Sequence, residues 1–163
     1  MIPYSRDSRQ VISADAIRII GLGGAGTNML ERIVLDGVEG AEPLALNTDA
    51  RTLASCMAPG KIQLGANITK GLGAGGDPEL GLQAVLEAEE PIRAALRGRR
   101  IVFLCAGLGG GTGSGGAPIV TRIAREEGAF VVVFATMPFA FEGKRRRDQA
   151  ETQPGIAGGG LDN

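Results

Sequence analysis

Short apolar or β-branched runs alternate with stretches of helical spacing along most of this chain. Residues 16–20 (Ala-Ile-Arg-Ile-Ile) read as a first strand. The helix predicted after it carries Met29, Leu30, Ile33 and Val34 on one face, with Gly37 as its stop. Residues 43–46 and 61–64 read as second and third strands, and Asp49 is placed to cap a helix running through Met57 between them. Asp77-Pro78 opens a further helix with apolar spacing at Leu82, Val85 and Leu86, which Pro91 is expected to break before residues 94–97. Residues 101–106 form a fourth strand, and a helix starting at Ala117-Pro118 runs to Glu127. The fifth strand, 129–136, is almost continuously apolar, as expected of a strand covered on both faces; with its covering helix cut short it would be an exposed, apolar edge. Residues 144–151 read as the first turns of another helix. Such alternation predicts an α/β fold: a Rossmann-like, three-layer parallel sheet with helices on both faces. Residues 1–15 read as a flexible arm, 16–151 as the domain, and 152–163 as an irregular, glycine-rich tail.

Glycine changes the picture. The chain has 27 in 163 residues, more than twice the usual ~7%, and they gather at the ends of predicted strands. Residues 107–116 are all glycine except Leu108, Thr112 and Ser114. A glycine loop between a strand and a helix start offers inward-pointing N–H groups and a positive helix end to an anion. Two more such stretches lie at 21–26 and 71–76. The first matches G-x-G-x-x-G, which leaves a structural tight turn and a dinucleotide-binding loop both open. For the second, a flexible surface connection is the alternative. Against a dinucleotide fold, Asn47 sits where the ribose-binding acid belongs, and Asp49 is more naturally a helix cap. Three glycine loops at one sheet edge suit a polyphosphate better than a single pyrophosphate. No Walker P-loop string occurs.

Composition narrows the chemistry further. The net charge of −1 gives no field towards nucleic acid or an anionic membrane. With no histidine, histidine metal sites and Ser-His-Asp catalysis are excluded. Cys56 and Cys105 lack a CxxC partner and read as buried free thiols, in keeping with a reducing cytoplasm. The basic cluster 144–147 reads as a solvated helix face. No segment reads as a secretory signal or a membrane span.

The residues 109–115 (Gly-Gly-Gly-Thr-Gly-Ser-Gly) closely resemble the GGGTGTG signature of the tubulin/FtsZ family, with Ser114 keeping the hydroxyl of a threonine. Residues 47–49 (Asn-Thr-Asp), 69–75 (Thr-Lys-Gly-Leu-Gly-Ala-Gly) and 138–143 (Pro-Phe-Ala-Phe-Glu-Gly) also resemble the bacterial branch of this family, in order and spacing. The resemblance extends over about residues 11–151 and implies a cell-division GTPase with strand order 3-2-1-4-5. It implies GTP or GDP as ligand, with Mg²⁺ bridged by the phosphates and no metal ligand from the protein. Gly24, Ala25, Gly26, Thr27 and Asn28 would hold the α/β-phosphates and reach the guanine. Gly109, Gly110, Gly111, Thr112, Gly113 and Ser114 would wrap the phosphates, and Gly73, Ala74 and Gly75 would approach the γ-phosphate. Asn47, Asp49 and Pro138 fall on family motifs, and Glu142 and Arg146 match ribose-side contacts. The implied partners are guanine nucleotide, further copies or full-length relatives joined head to tail, and other division proteins; the implied place is the cytoplasm, at a mid-cell ring.

Departures from the family pattern limit these expectations. Met137 and Ala140 replace residues that are often basic and Asn. The family's guanine-contacting aspartate, long central helix and acidic catalytic loop have no counterpart before residue 163. The expectation is therefore an incomplete GTP-binding domain that holds no catalytic residue of its own and hydrolyses little. The other readings are a non-catalytic fragment that caps filaments and a Rossmann oxidoreductase.

Overall fold

Residues 13–137 are described by the computed structural model. They form five parallel strands, β1 (Ile17–Leu22), β2 (Glu42–Asn47), β3 (Gly60–Gln63), β4 (Ile101–Gly107) and β5 (Phe130–Thr136), in the order β3-β2-β1-β4-β5. This is the order expected. Between them run α1 (Gly23–Leu35), α2 (Ala50–Ser55), α3 (Pro78–Glu87), α4 (Glu89–Leu96) and α5 (Gly111–Glu126). The larger core joins Ile20, Leu22, Leu44, Leu46, Val102 and Leu104 of the sheet to Val85, Ile92, Leu96, Val120 and Ile123 of α3, α4 and α5. A smaller core on the other face packs Leu30 of α1 and Leu53 of α2 against Ala45. Asp49 and Asp77 cap α2 and α3 as expected, each accepting two backbone N–H bonds.

Two expectations need correction. Residues 111–116 are not a loop: they are the first turns of α5, which begins six residues before Ala117 and carries Pro118 inside it. Each glycine costs a helix about 1 kcal/mol relative to alanine, so propensity points the wrong way here. Tertiary contact decides instead. A β-carbon on Gly115 would stand 1.8 Å from the Pro78 carbonyl oxygen, and one on Gly81 would stand 2.1 Å from the Gly111 oxygen. The backbones of α3 and α5 touch, and only glycine permits it. The helix break also falls at Ala88 rather than Pro91, which sits within the first turn of α4, where its missing N–H costs nothing. As expected of an exposed apolar edge, β5 is not covered on both faces among the described residues. It pairs only with β4 there, its middle is half-buried, and Phe130 is 69% exposed. Pro138, Glu142, Arg146 and the basic cluster lie outside the described residues.

At the opposite end of the sheet from the glycine stretches, Glu42 Oε2 accepts from Arg18 Nη1 at 2.9 Å and Arg99 Nη2 at 2.8 Å. This ties the start of β2 to β1 and to the turn entering β4. The Arg99 hydrogen bond, helped by the charges of both arginines, holds the Glu42 carboxyl below the ordinary value. A lowered folded-state pKa adds stability above the unfolded value, about 4.3, and that stability is lost as pH falls through the folded value. The stability gap between the parent and Glu42→Gln is therefore expected to close as urea titrations move from about pH 6 to about pH 3. A gap independent of pH would refute the charge pairing. Gly115→Ala is expected to destabilise by about 2 kcal/mol or more through overpacking. Gly24→Ala, which meets no atom within 4 Å, is expected to stay within about 0.5 kcal/mol of the parent.

Candidate functional site

The carboxyl ends of β1, β2 and β4 meet where the strand order reverses, the place where open parallel sheets bind ligands. A cavity of about 470 Å³ opens there. Its floor is the strand ends, Leu22, Asn47 and Gly107; its walls are the first turns of α1 and α5 and residues 73–76.

The helix starts around the cavity fall into two kinds. The N-termini of α2 and α3 are closed by Asp49 and Asp77. Those of α1 and α5 follow Leu22 and Gly110 and have no side-chain cap. Gly24 and Ala25 of α1, with Gly110, Gly111, Thr112 and Gly113 at the start of α5, line the cavity. The first N–H groups of a helix have no partner within it, and together with the helix dipole they favour an anion. Among the described residues no lysine or arginine lines the cavity, and Asp49 is the one charged residue that does. From these residues the attraction for an anion is supplied by main chain.

Several contacts hold these amides in place. β1 passes into α1 without a loop, and Gly23 makes the turn at φ +74° with its Cα facing Gly113 and Thr112. Gly26 lets α1 lie on β4, since a β-carbon there would meet the Cys105 carbonyl oxygen at 2.2 Å. Ser114 is fully buried and its Oγ accepts from the Gly109 N–H at 2.7 Å, tying the turn before α5 to the helix. Asp49 receives the Arg51 and Thr52 N–H groups at 2.9 and 3.0 Å. Its own N–H donates to Asn47 Oδ1 at 3.1 Å. Asn47 is 2% exposed, and its side-chain nitrogen has no partner among the described residues. That buried donor, on a residue lining the cavity, suits an acceptor from a ligand. The segment 71–72 is anchored by an isolated bridge from Leu72 to Asp49 and by the Ala50 N–H to the Gly71 carbonyl at 3.1 Å.

Of the residues singled out from sequence, Gly24, Ala25, Asn47, Asp49, Gly73, Ala74, Gly75, Gly110, Gly111, Thr112 and Gly113 are brought together around the cavity. Gly26, Thr27, Asn28, Gly109 and Ser114 do not line it. Gly26 and Ser114 act in packing and in fixing the turn, Thr27 is buried, and Asn28 is exposed on α1. Leu22, Gly76 and Gly107 lie inside the glycine stretches but were not singled out. Thr48 lies inside the Asn-Thr-Asp stretch but was not singled out, and Thr52, on α2, was missed; only the fold reveals that both reach the same cavity.

Residues 16–154 match the Tubulin/FtsZ family, GTPase domain. The chain belongs to the tubulin/FtsZ family. Cell division protein FtsZ of Aquifex aeolicus is 48% identical over 134 residues, which cover 82% of this chain and 36% of that relative. FtsZ of Methanothermobacter thermautotrophicus is 47% identical over 148 residues, covering 90% of this chain and 39% of the relative. The chain thus spans well under half the length of these curated relatives. Among solved structures, the W319Y mutant of M. jannaschii FtsZ superposes with a TM-score of 0.85 at 44% identity, over 90% of this chain and 44% of that one. CetZ2 from Haloferax volcanii, solved as a GTPγS-bound protofilament, gives 0.76 at 29% identity, over 86% of this chain and 45% of that one. Membership in the tubulin/FtsZ family sets aside the oxidoreductase reading, and the end of β2 agrees: it carries Asn47, and Asp49 is a helix cap.

Because the Ser114 hydroxyl serves a buried N–H, Ser114→Ala is expected to lower stability by about 1–2 kcal/mol. Urea denaturation of the two proteins checks this; equal midpoints would show that the turn does not need the bond.

Proposed function

We propose that this chain binds GTP and GDP in the cavity, as the nucleotide-binding part of an FtsZ-like cell-division GTPase. One observation carries the reading: two long helices, α1 and α5, direct uncapped N-termini into one cavity, while the neighbouring helices are closed by aspartates. The amides of Gly24 and Ala25 serve one side of a polyphosphate and those of Gly111, Thr112 and Gly113 the other, with Gly73, Ala74 and Gly75 towards its end. The GTPγS-bound state of the related CetZ2 structure supports a guanine nucleotide as the occupant.

Among the described residues no group of three or more acidic, cysteine or histidine side chains is arranged to hold a metal. Asp49, the one carboxylate at the cavity, has Oδ1 engaged in capping α2. These residues fit a Mg²⁺ that arrives with the nucleotide, where it neutralises phosphate charge. Phosphoryl transfer also needs a positioned water and charge compensation at the leaving side. At the cavity the described residues offer no basic side chain for this and their one carboxylate caps α2, which supports the reading that the chain alone turns over little GTP. Full catalysis belongs to the assembled, longer protein. The empty dimer of M. jannaschii FtsZ and the CetZ2 protofilament support head-to-tail assembly as its working state. We place that assembly in the cytoplasm at the division site; no helix among the described residues is long and apolar enough to cross a membrane.

Thermal denaturation with GTP, GDP or NAD tests the reading. At a hundredfold excess over Kd, GTP or GDP is expected to raise the Tm by roughly 5–10 °C, with no shift from NAD. Phosphate release is expected far below that of a complete FtsZ assayed alongside. An equal shift with NAD, or turnover matching the complete enzyme, would overturn the corresponding half of the proposal.

A further inference from the structure

Two buried threonines join opposite walls of the cavity. Thr48 follows the end of β2, Thr112 is the second residue of α5, and their hydroxyl oxygens stand 2.8 Å apart. Thr48 is 1% exposed and Thr112 7%, and both line the cavity. A third buried threonine, Thr69, fixes the backbone of the first. Its hydroxyl donates to the carbonyl oxygens of Gly65 at 3.1 Å and, more weakly, Thr48 at 3.4 Å. The neighbouring Asn47 carbonyl accepts the Leu64 N–H at 2.8 Å. Thr48 is therefore held from both sides, with its hydroxyl presented to Thr112.

The oxygen positions leave the direction of this bond open, and the direction matters. Each hydroxyl carries one proton and two lone pairs. If Thr112 donates to Thr48, its proton is consumed and only lone pairs remain for a ligand. An anion beside α5 repels them. If Thr48 donates to Thr112, the Thr112 proton is released to make a second bond.

We propose that Thr48 is a positioning residue that, by donating to Thr112 Oγ1, turns the Thr112 hydroxyl into a donor towards an anionic phosphate oxygen at the N-terminus of α5. The inference rests on the nucleotide reading of the cavity. Thr48 acts through Thr112 and needs no contact with the ligand itself. A hydrogen bond to a charged acceptor is worth about tenfold or more in affinity, and losing its orientation forfeits most of that.

The test is titration of the chain and its variants with a fluorescent GDP and, by competition, GTP. Thr48→Val removes the hydroxyl at nearly constant shape and is expected to weaken binding about tenfold. Thr48→Ser keeps the hydroxyl and is expected to stay within about twofold of the parent. Thr112→Val is expected to weaken binding at least as much as Thr48→Val. The double variant is expected to match Thr112→Val within about twofold, because Thr48 then has nothing to orient. Circular dichroism and melting confirm that each variant folds; should Thr48→Val fail to fold, Thr48→Ala takes its place with the same expected outcomes. Undiminished binding by the hydroxyl-free variant overturns the inference, as does full additivity with Thr112→Val or a Thr48→Ser variant as weak as Thr48→Val. In those cases the parent still binds, and the nucleotide reading stands. A parent chain that takes up neither GDP nor GTP overturns that reading and this inference with it.

Discussion

Main chain lies against main chain where α5 meets α3, and the rest of the structure depends on that contact. Gly115 lies under the Pro78 carbonyl and Gly81 under that of Gly111, so the two helices approach more closely than any β-carbon allows. This approach brings Asp77, at the start of α3, beside Gly111, at the start of α5; a β-carbon on Gly111 would meet the Asp77 nitrogen at 2.7 Å. It also carries residues 73–76, which lead into α3, to the cavity. With larger residues the helices would move apart, and the walls of the cavity would separate. The same principle operates on the other face of the sheet, where Gly26 lets α1 rest on the backbone of β4. Close packing at the base of the site thus sets the spacing of the donors at its top.

Capping divides the four helix starts by purpose. Aspartates satisfy the ends that support the site, at α2 and α3, and leave bare the ends that face the cavity, at α1 and α5. A carboxylate cap at Leu22 or Gly110 would compete with any anionic ligand for the same amides. Each level of the structure agrees on this division: strand ends converge, helices point inward, and the one acidic group present is already engaged in capping.

Much of this was legible in the sequence. The strands, their order, the two aspartate caps and the grouping of three glycine stretches follow from apolar periodicity, cap chemistry and family resemblance. Residues 111–116 were misread because the propensity of glycine is a local property, whereas the reason for glycine there is a neighbour some thirty residues earlier in the chain. The fifth strand keeps the continuous apolar run of a strand buried in a complete sheet, and its exposure follows from its place at the edge of the described one. Thr52 carries no sequence signal of its own, and Thr48 only that of the Asn-Thr-Asp stretch around it. Their place at the cavity comes from the passage out of β2 into α2.

The absence of lysine and arginine from the cavity lining among the described residues has a consequence for how that part of the site tolerates change. A recognition surface made of side chains can be dismantled one substitution at a time. Here most of the donors belong to the polypeptide itself, the Thr112 hydroxyl and the Asn47 side-chain amide aside, and most substitutions leave an N–H where it was. Sequence drift along the rest of the first turns of α1 and α5 is therefore constrained mainly by bulk and by the imino ring of proline. Nor do amides gain or lose a proton across the physiological range, so the grip of these amides on an anion follows the ionisation of the ligand.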